Sequence, residues 1–436
     1  MNANALKERI EKHEARITVI GQGYVGLPLA IAFAHAGFKV VGLDNSLEKV
    51  ESLNQGRSPI PDVPDEELQK QRAAGRYSAT NDYSVLADTD AAIICVPTPL
   101  RKTKDPDISY VISAAEELAE HLHPGQLVVL ESTTYPGTTE EILLPMFSDK
   151  GGEAGVDFFL AFSPERIDPA NPNFKVRDIP KVVGGVTQEC SKLAAQLYRQ
   201  VVPKVLEVSS PRVAEMAKLY ENVFRNVNIA LANELALMCH RLGVNTREVI
   251  DAASTKPFGF MTFHPGPGVG GHCIGIDSQY LAWKMKLNGY DARFIHLAEE
   301  INQSMPARVV QMVSDALNNR QRSLKGAKVL ALGVAYKPNV SDIRESPALE
   351  VIEQLRKRGA DVTYADPHVP KVSIDGTQFE AVVADEKAIK GSDCVVILTD
   401  HKDFDYNRIA GDASLVLDTR NATWGILNPK AEVIRL

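Results

Sequence analysis

The sequence lacks any long apolar run, and its 5 cysteines are few and widely spaced. No segment approaches the ~18 apolar residues that a membrane-spanning helix needs, so we expect no membrane insertion. The first residues are charged and helix-like without an apolar centre, which argues against a secretory signal and favours the cytoplasm. An odd number of cysteines without a Cys-x-x-Cys pair fits neither a disulfide framework nor a cysteine-ligated metal site, and we expect no metal.

Positive charge is also scarce. The 48 Lys and Arg residues stand against 56 Asp and Glu residues, which gives a net charge of −8. This balance argues against a nucleic-acid partner, because such binders usually present a basic face, but it permits a local basic pocket for an anionic small molecule. The length of 436 residues and the 44% of hydrophobic residues predict two or three folded domains rather than a disordered chain.

A glycine pattern near the N-terminus points to a dinucleotide. An apolar strand pattern runs into Gly21-x-Gly23-x-x-Gly26, and a helix pattern follows. Gly21 permits the tight turn, Gly23 lets a pyrophosphate approach the backbone, and Gly26 lets helix and strand pack closely. The helix N-terminus then offers N–H groups to the phosphates. Asp44 ends the next strand, near the distance at which an acid binds the adenosine ribose, and its charge favours NAD over NADP.

The same order of elements recurs near the C-terminus. A strand pattern at residues 328–333 ends in a glycine, and the next strand ends at Asp366, seven residues after a helix-closing glycine. Asp44 stands at the same distance from Gly37. Strands that alternate with helices predict parallel sheets covered on both faces. We therefore predict an α/β protein with two doubly wound Rossmann-like domains; the second has no GxGxxG pattern, which argues against a second dinucleotide.

The middle of the chain has a different pattern. Residues 211–242 form a helical stretch with no Gly and with no Pro after its first residue, which would be roughly 45 Å long. We predict Rossmann-like domains at residues 1–205 and 316–436, joined by a central helical domain at residues 206–315. The long helix is either a spacer or the carrier of chemistry and of a dimer interface.

Lys218, Asn222 and Arg225 share one face of this long helix. Lys218 and Asn222 lie one turn apart and can donate hydrogen bonds to a single oxyanion. The alternative is an ordinary solvated polar face. Thr98 and Thr134 follow two predicted strands, where ligands of doubly wound sheets bind, although such residues also favour plain turns.

A glycine-rich segment precedes Cys273. Four of the six residues 266–271 are glycine, which is typical of neither helix nor strand and permits close approach of a ligand. We expect Cys273 to lie in a loop, placed as a nucleophile beside His272 and four residues before Asp277. Positive charge from His272 or Lys218 would favour its thiolate. The alternative, a small buried cysteine, is what we expect for the other four cysteines.

Basic residues lie beyond two strands of the second repeat. Lys337 and Arg344 follow the strand at residues 328–333, and Arg420 follows the last paralleled strand. These side chains can bind phosphates by charge, since the GxGxxG turn is missing there.

In this order the motifs resemble the UDP-glucose/GDP-mannose dehydrogenase family, from Ile17 to the C-terminus. The branch acting on UDP-N-acetyl amino sugars is marked by ESTTYPG at 131–137, FSPER at 162–166, PGPGVGGHCI at 265–274, and the segments 342–347 and 418–420. The resemblance implies an NAD-binding N-terminal domain, a central helical domain that forms a homodimer or higher homo-oligomer, and a UDP-binding C-terminal domain. It implies a four-electron oxidation of the C6 alcohol of a UDP-N-acetylhexosamine, first of all UDP-N-acetylglucosamine, to the uronic acid with two NAD. Such a product would serve surface polysaccharide synthesis.

The resemblance also implies residue roles. The catalytic set comprises Cys273 as nucleophile, Lys218 and Asn222 as oxyanion donors, Asp277 as acid/base, and Glu165 and Thr134 as residues that position water. The residues that match cofactor contacts are Gly21, Gly23, Tyr24, Val25, Gly26, Asp44, Lys49, Thr98, Thr134 and Arg344. The residues that match UDP-sugar contacts are Glu165, Arg166, Lys218, Asn222, Arg225, Gly270, Tyr336, Lys337 and Arg420.

Several alternatives remain open at the level of the sequence. The same chemistry on UDP-N-acetylmannosamine or UDP-glucose is the nearest one, and close amino-sugar relatives often have Pro where this chain has Gly275 and Ser278. A two-electron 3-hydroxyacid dehydrogenase needs no cysteine, so the glycine-flanked Cys273 counts against it. A non-catalytic nucleotide-sugar sensor would have no need of both Cys273 and Lys218.

Overall fold

The computed structural model describes residues 2–60, 62–101, 103–166 and 178–436, apart from the side chains of residues 272 and 273. The chain divides into two compact units. Residues 1–221 and 279–289 form the first unit, and residues 222–278 and 290–436 form the second.

The first unit is built on one sheet. Its strands are β1 (Arg16–Ile20), β2 (Lys39–Leu43), β3 (Tyr77–Thr80), β4 (Ala91–Ile94), β5 (Leu127–Leu130), β6 (Phe159–Phe162), β7 (Lys181–Gly185) and β8 (Val205–Glu207). They lie in the order β3-β2-β1-β4-β5-β6-β7-β8, and the neighbours are parallel except for β6 with β7. Every residue of β4, β5 and β6 is buried, as expected for strands that are covered on both faces.

Helices cover this sheet. They are α1 (Ala3–Glu11), α2 (Gly26–Ala36), α3 (Leu47–Asn54), α4 (Asp65–Ala73), α5 (Ser109–Glu120), α6 (Leu144–Gly151) and α7 (Gln188–Tyr198), with a 3₁₀ turn at Tyr83–Asp88 and a π turn at Thr139–Leu143. Helix α2 ends at Gly37, whose φ of 112° is the left-handed conformation that glycine adopts readily at a helix C-terminus. The predicted strand–turn–helix unit at the start of the chain is therefore present.

Helices dominate the first part of the second unit. They are α8 (Pro211–Leu242), which begins in the first unit, α9 (Thr246–Ser254), α10 (His272–Leu287), which ends in the first unit, and α11 (Arg293–Asn319). The unbroken α8 has the predicted bounds, and it contains no Gly and no Pro after its first residue. Buried residues of α11, among them Met305, Val309 and Val313, pack into the same apolar core as β9 (Lys328–Leu332).

The rest of the second unit repeats the Rossmann-like pattern. Its further elements are α12 (Pro347–Lys357), β10 (Asp361–Ala365), β11 (Lys371–Ile374), β12 (Thr377–Glu380), α13 (Glu386–Lys390), β13 (Cys394–Ile397), α14 (Tyr406–Asp412), β14 (Leu415–Asp418) and β15 (Glu432–Arg435). The parallel sheet has the order β10-β9-β13-β14-β15, which matches β2-β1-β4-β5-β6 strand for strand, while β11 and β12 form a separate antiparallel hairpin. The predicted fold class, two Rossmann-like domains joined by a central helical part, is confirmed.

Within the described ranges, no helix is both long and apolar enough to span a bilayer.

Candidate active site

The turn after β1 excludes side chains at two glycines and is open at a third. Gly21 has a φ of 94°, and a Cβ there would lie 2.5 Å from the carbonyl oxygen of Cys95. A Cβ on Gly26 would lie 1.8 Å from the carbonyl oxygen of Gly21, whereas a Cβ on Gly23 would meet no atom within 4 Å. Close helix packing therefore explains Gly26, and the open space at Gly23 beside the start of α2 fits a pyrophosphate.

Asp44 directly follows β2, and its carboxylate organises this end of the sheet. One oxygen accepts the backbone N–H of Gln22 at 2.8 Å and the ammonium of Lys49 at 2.7 Å, and the other accepts the N–H of Ser46 at 3.0 Å. Tyr24, on the glycine turn, is exposed. A carboxylate at the carboxyl end of β2 fits the predicted contact with a ribose.

Thr98 and Thr134 are both buried, beyond β4 and β5. The hydroxyl of Thr138 donates to the carbonyl of Tyr135 at 2.9 Å, so the Thr134 hydroxyl donates to the Thr138 oxygen at 2.5 Å. Thr134 is thus held in one orientation by its own turn. Its action on water stays a prediction.

Glu165 belongs to a largely buried charged cluster whose key member, Lys181, the sequence analysis missed. The Lys181 ammonium binds Glu131 and lies 3.3 Å from Oε2 of Glu165, while the Tyr198 hydroxyl donates to Glu131 at 2.5 Å. Burial raises the pKa of Glu131 to about 7. Burial disfavours the charged form of Lys181, but Glu131 and Glu165 together raise the pKa of Lys181. A lysine opening a buried strand was the signal that could have revealed the cluster.

We expect Lys181→Met to lower the free energy of unfolding by about 3 kcal/mol, because it leaves two carboxylates with no ammonium beside them in the interior. The double variant Glu131→Gln/Lys181→Met should recover most of that loss, since the buried pair then carries no charge. Urea unfolding midpoints measure both effects. Lys150→Met is the matched control: the ion pair of Lys150 with Glu120 is exposed, and its loss should cost below ~1 kcal/mol. Equal losses of unfolding free energy in Lys181→Met and Lys150→Met would contradict the conclusion that the buried ammonium is needed to balance the two carboxylates.

Arg166 is engaged with protein groups of the first unit. Its guanidinium lies 2.7 Å from a carboxylate oxygen of Glu221 on α8 and donates to the carbonyl of Pro180 at 2.6 Å. Its backbone N–H donates to Glu165 at 2.7 Å. Arg166 therefore joins the residues directly after β6 to α8 and to Pro180.

The predicted polar face of α8 is buried at two of its three positions. Lys218 and Asn222 are 8% and 5% exposed, while Arg225 is exposed. An ordinary solvated face is therefore wrong for Lys218 and Asn222. In the second unit, the side-chain amide of Asn222 donates to the carboxylate of Asp277, which is itself buried. The structure thus joins two residues that the sequence placed in one catalytic set.

Three buried asparagines extend this polar contact through the second unit. Asn226 donates to the hydroxyl of Ser278 at 3.3 Å and accepts from Asn302 on α11 at 2.8 Å. Asn233 donates to Asn302 at 2.9 Å and accepts the N–H of Gly266 at 2.9 Å. The sequence analysis missed this network, although the spacing of Asn222, Asn226 and Asn233 places all three on one face of α8. It ties α8, α10 and α11 to the glycine-rich segment.

Cys273 lies at the second position of α10, so the expectation of a loop at this residue is wrong. The glycine-rich run ends at residue 271, and the chain becomes helical directly after it, with Gly275 as the one glycine within α10. The side chains of Cys273 and His272 lie outside the described part of the structure. The other four cysteines are free and buried, as predicted.

The glycines before Cys273 are needed because the second unit's own loops pack onto them. A Cβ on Gly266 would lie 2.6 Å from the Arg420 guanidinium, and one on Gly270 would lie 2.7 Å from Cβ of Tyr336. A Cβ on Gly271, whose φ is 84°, would lie 2.8 Å from the Tyr336 ring. Gly270 belongs to this glycine-rich segment, and Tyr336 and Arg420 pack against it; the resemblance matched all three to UDP-sugar contacts.

The basic residues of the second repeat, Lys337, Arg344 and Arg420, lie on loops that contact the glycine-rich segment or neighbouring loops of the second unit. Lys337 stands 5.6 Å from the Tyr336 ring centre. Arg344 is exposed and binds Asp342 at 2.6 Å, while its carbonyl accepts the N–H of Gly271 at 3.0 Å. Arg420 donates to the carbonyl of Leu398 at 2.9 Å. Within the described ranges, no three His, Cys, Asp or Glu side chains are grouped to hold a metal ion.

Three family models match the chain in succession. The NAD binding domain of the UDP-glucose/GDP-mannose dehydrogenase family matches residues 15–202, its central domain matches residues 212–304, and its UDP binding domain matches residues 330–424.

Curated relatives and solved structures agree with these matches. A UDP-N-acetyl-D-mannosamine dehydrogenase of Pyrococcus horikoshii is 39% identical, covering 89% of this chain and 90% of its own. A UDP-N-acetyl-D-glucosamine 6-dehydrogenase of Pseudomonas aeruginosa is 38% identical, with 82% and 83% covered. A solved UDP-D-ManNAc dehydrogenase from Pyrococcus horikoshii superposes with a TM-score of 0.85 at 36% identity, covering 96% of this chain and 98% of that one.

Proposed function

The chain belongs to the UDP-glucose/GDP-mannose dehydrogenase family, and from this premise we propose that it oxidises C6 of a UDP-N-acetylhexosamine, first of all UDP-N-acetylglucosamine, to the carboxylate. The family membership makes it an NAD-dependent UDP-sugar dehydrogenase. The four-electron course through a cysteine is our proposal. The observation that carries it is the pairing of buried Asn222 with Asp277 on α10, the helix whose first turn contains Cys273.

Bound NAD supplies the hydride acceptor for both oxidations. The open turn at Gly23 and the carboxylate of Asp44 would hold it, because they offer space and backbone N–H groups to the pyrophosphate and an acceptor to the ribose hydroxyls. Arg344, Lys49, Tyr24, Val25 and Thr98 are further proposed contacts.

Lys218 and Asn222 would donate to the C6 oxygen as it gains negative charge. The thiolate of Cys273 would then add to the C6 aldehyde and form a thiohemiacetal, which the second oxidation converts to a thioester. The first turn of α10 suits a thiolate, because backbone N–H groups at a helix N-terminus stabilise negative charge. Water would finally cleave the thioester to carboxylate and thiol, with Glu165 and Thr134 holding the water and Asp277 moving the proton.

Two sugar substrates are supported almost equally. Relatives named for N-acetylmannosamine and for N-acetylglucosamine are 39% and 38% identical. We place UDP-N-acetylglucosamine first and UDP-N-acetylmannosamine second, with UDP-glucose third. The uronic acid product would serve the synthesis of a surface polysaccharide.

The test is to count NADH formed per uronic acid with each of the three UDP-sugars. We expect two NADH per carboxylate and the highest kcat/KM with UDP-N-acetylglucosamine. One NADH per product would overturn the four-electron course and favour a two-electron dehydrogenase, while no NADH would favour a sensor. A higher kcat/KM with another sugar would correct the substrate but keep the reaction.

We also propose that the chain forms a homodimer or higher homo-oligomer through α8. Within the second unit, this helix exposes Phe224, Leu231 and Met238 at seven-residue spacing, as well as Leu242. An apolar stripe of this period is typical of helices that pack against each other. Sedimentation at only the chain mass of 47.6 kDa would contradict it.

A further inference from the structure

Asp366 directly follows β10, and its carboxylate joins three loops at the carboxyl end of the five-stranded sheet. One oxygen accepts the N–H groups of Val334 and Ala335, at 2.7 and 3.3 Å, from the loop after β9. The same oxygen lies 3.0 Å from Nε2 of His401, from the loop after β13. The other oxygen accepts the N–H groups of His368 and Val369, at 2.8 and 3.1 Å. Every lone-pair direction of Asp366 is thus used inside the protein.

Asp44, the equivalent carboxylate of the first unit, differs from Asp366 in one of its partners. Asp44 likewise accepts a turn amide, that of Gln22, and the N–H two residues further along its own loop. Its third partner is Lys49, a side chain that is 31% exposed and able to give way to a ligand. In the second unit that place belongs to His401, whose side chain is completely buried. Asp366 is therefore not available to a ribose.

His401 is bonded through both ring nitrogens. Its Nδ1 lies 2.9 Å from the backbone N of Asn339, which has a proton to donate, so Nδ1 acts as the acceptor. The ring proton of this neutral form is then on Nε2 and is donated to Asp366. A buried imidazole in this state connects the loop after β13 directly to Asn339 and, through Asp366, to the start of the loop after β9.

Two further bonds tie the same loops. The hydroxyl of Thr399 donates to the carbonyl of Ala335 at 2.6 Å, and the backbone N–H of Lys402 donates to the side chain of Asn339 at 2.9 Å. Asn339 itself has a φ of 61°, which a chain adopts at a cost unless its surroundings hold it. Residues 334–339, which we term the β9 loop, are therefore fixed at both ends from residues 399–402.

Tyr336 and Lys337 lie between the two fixed ends. Since the Val334 and Ala335 amides are occupied by Asp366, the turn after β9 cannot offer them to a phosphate in the way a dinucleotide turn does. Phosphate binding at this turn then depends on the side chains that it carries, and their position depends on the β9 loop. Tyr336 also covers Gly270 and Gly271, so a shift of the loop would reach the glycine segment.

We propose that His401 is a positioning residue for UDP binding: by bridging Asp366 and Asn339 it holds the β9 loop so that Lys337 and Tyr336 face the UDP-sugar. This deepens the proposed function and rests on it for the identity of the ligand. His401 touches neither substrate nor cofactor in this assignment.

The test is His401→Phe, which keeps a ring of similar size and removes both nitrogens. We expect the Kd of UDP, titrated alone by calorimetry into the full chain, to rise about ten-fold or more, because an N–H of the β9 loop loses its buried partner. KM for the UDP-sugar should rise likewise, while kcat at saturation and the Kd of NAD stay within about two-fold. Thr399→Val, a nearly isosteric change, should raise the same Kd by a smaller factor.

His368→Phe is the matched control. Its ring stands 4.9 Å from that of His401, and its side chain binds Asp403 rather than the β9 loop. We expect this variant to bind UDP as the wild type does. Unchanged UDP affinity in a folded His401→Phe chain overturns the proposal, and so does an equal loss of UDP and NAD affinity. If His401→Phe does not fold, Thr399→Val decides in the same way. A wild-type chain that binds no UDP would instead refute the proposed function.

Discussion

Cys273→Ser is expected to abolish uronic acid formation, with kcat for carboxylate production lowered by roughly 10³-fold or more. Serine keeps the size and the position in the first turn of α10, but its hydroxyl ionises far less readily than a thiol. Without a thiolate, the aldehyde is not captured as a thiohemiacetal, and the second oxidation has no covalent intermediate to act on. Product analysis by mass, together with NADH absorbance, measures the loss of carboxylate.

The control for this variant is the same substitution at a second cysteine, Cys239. Cys239, 4% exposed on α8, is free, so Cys239→Ser makes the same chemical change away from the glycine segment. We expect it to retain kcat to within a few-fold. Undiminished uronic acid formation by Cys273→Ser would remove the nucleophile from the mechanism. A similar loss in both variants would show that the serine effect is one of folding.

The pattern of apolar runs was enough to predict the fold. Helix α8 has the predicted bounds, because they are set by local features: a Pro at the first helical position and a stretch without Pro or Gly after it. The repeat of the strand–turn–helix unit was visible for the same reason.

The errors and omissions lie where distant parts of the chain meet. Four glycines before Cys273 suggested a long loop, yet they serve close packing against Tyr336 and Arg420, and α10 begins at once after them. Neither contact can be inferred from the local sequence. Lys181, Asn226 and Asn233 were missed because polar residues in a strand or helix are usually exposed, and only their partners reveal why they are buried.

The buried state of Lys218 leads to the second large effect. Lys218→Ala is expected to lower kcat by about 10²- to 10³-fold, the usual cost of removing one donor to an oxyanion, while KM for the UDP-sugar changes by less than about five-fold. A donor that acts on charge formed during the reaction affects kcat, whereas a donor to the ground state affects KM. Burial strengthens the effect, because Lys218 is 8% exposed and water competes poorly there.

Two further variants separate this role from its alternatives. Lys192→Ala, on the exposed side of α7, should leave both constants unchanged. Asn222→Ala should lower kcat as Lys218→Ala does, and it also removes the amide that donates to the carboxylate of Asp277. A rise in KM at constant kcat in Lys218→Ala would make Lys218 a binding residue. The oxyanion would then rest on Asn222 alone, an amide that must divide its donors between Asp277 and the C6 oxygen.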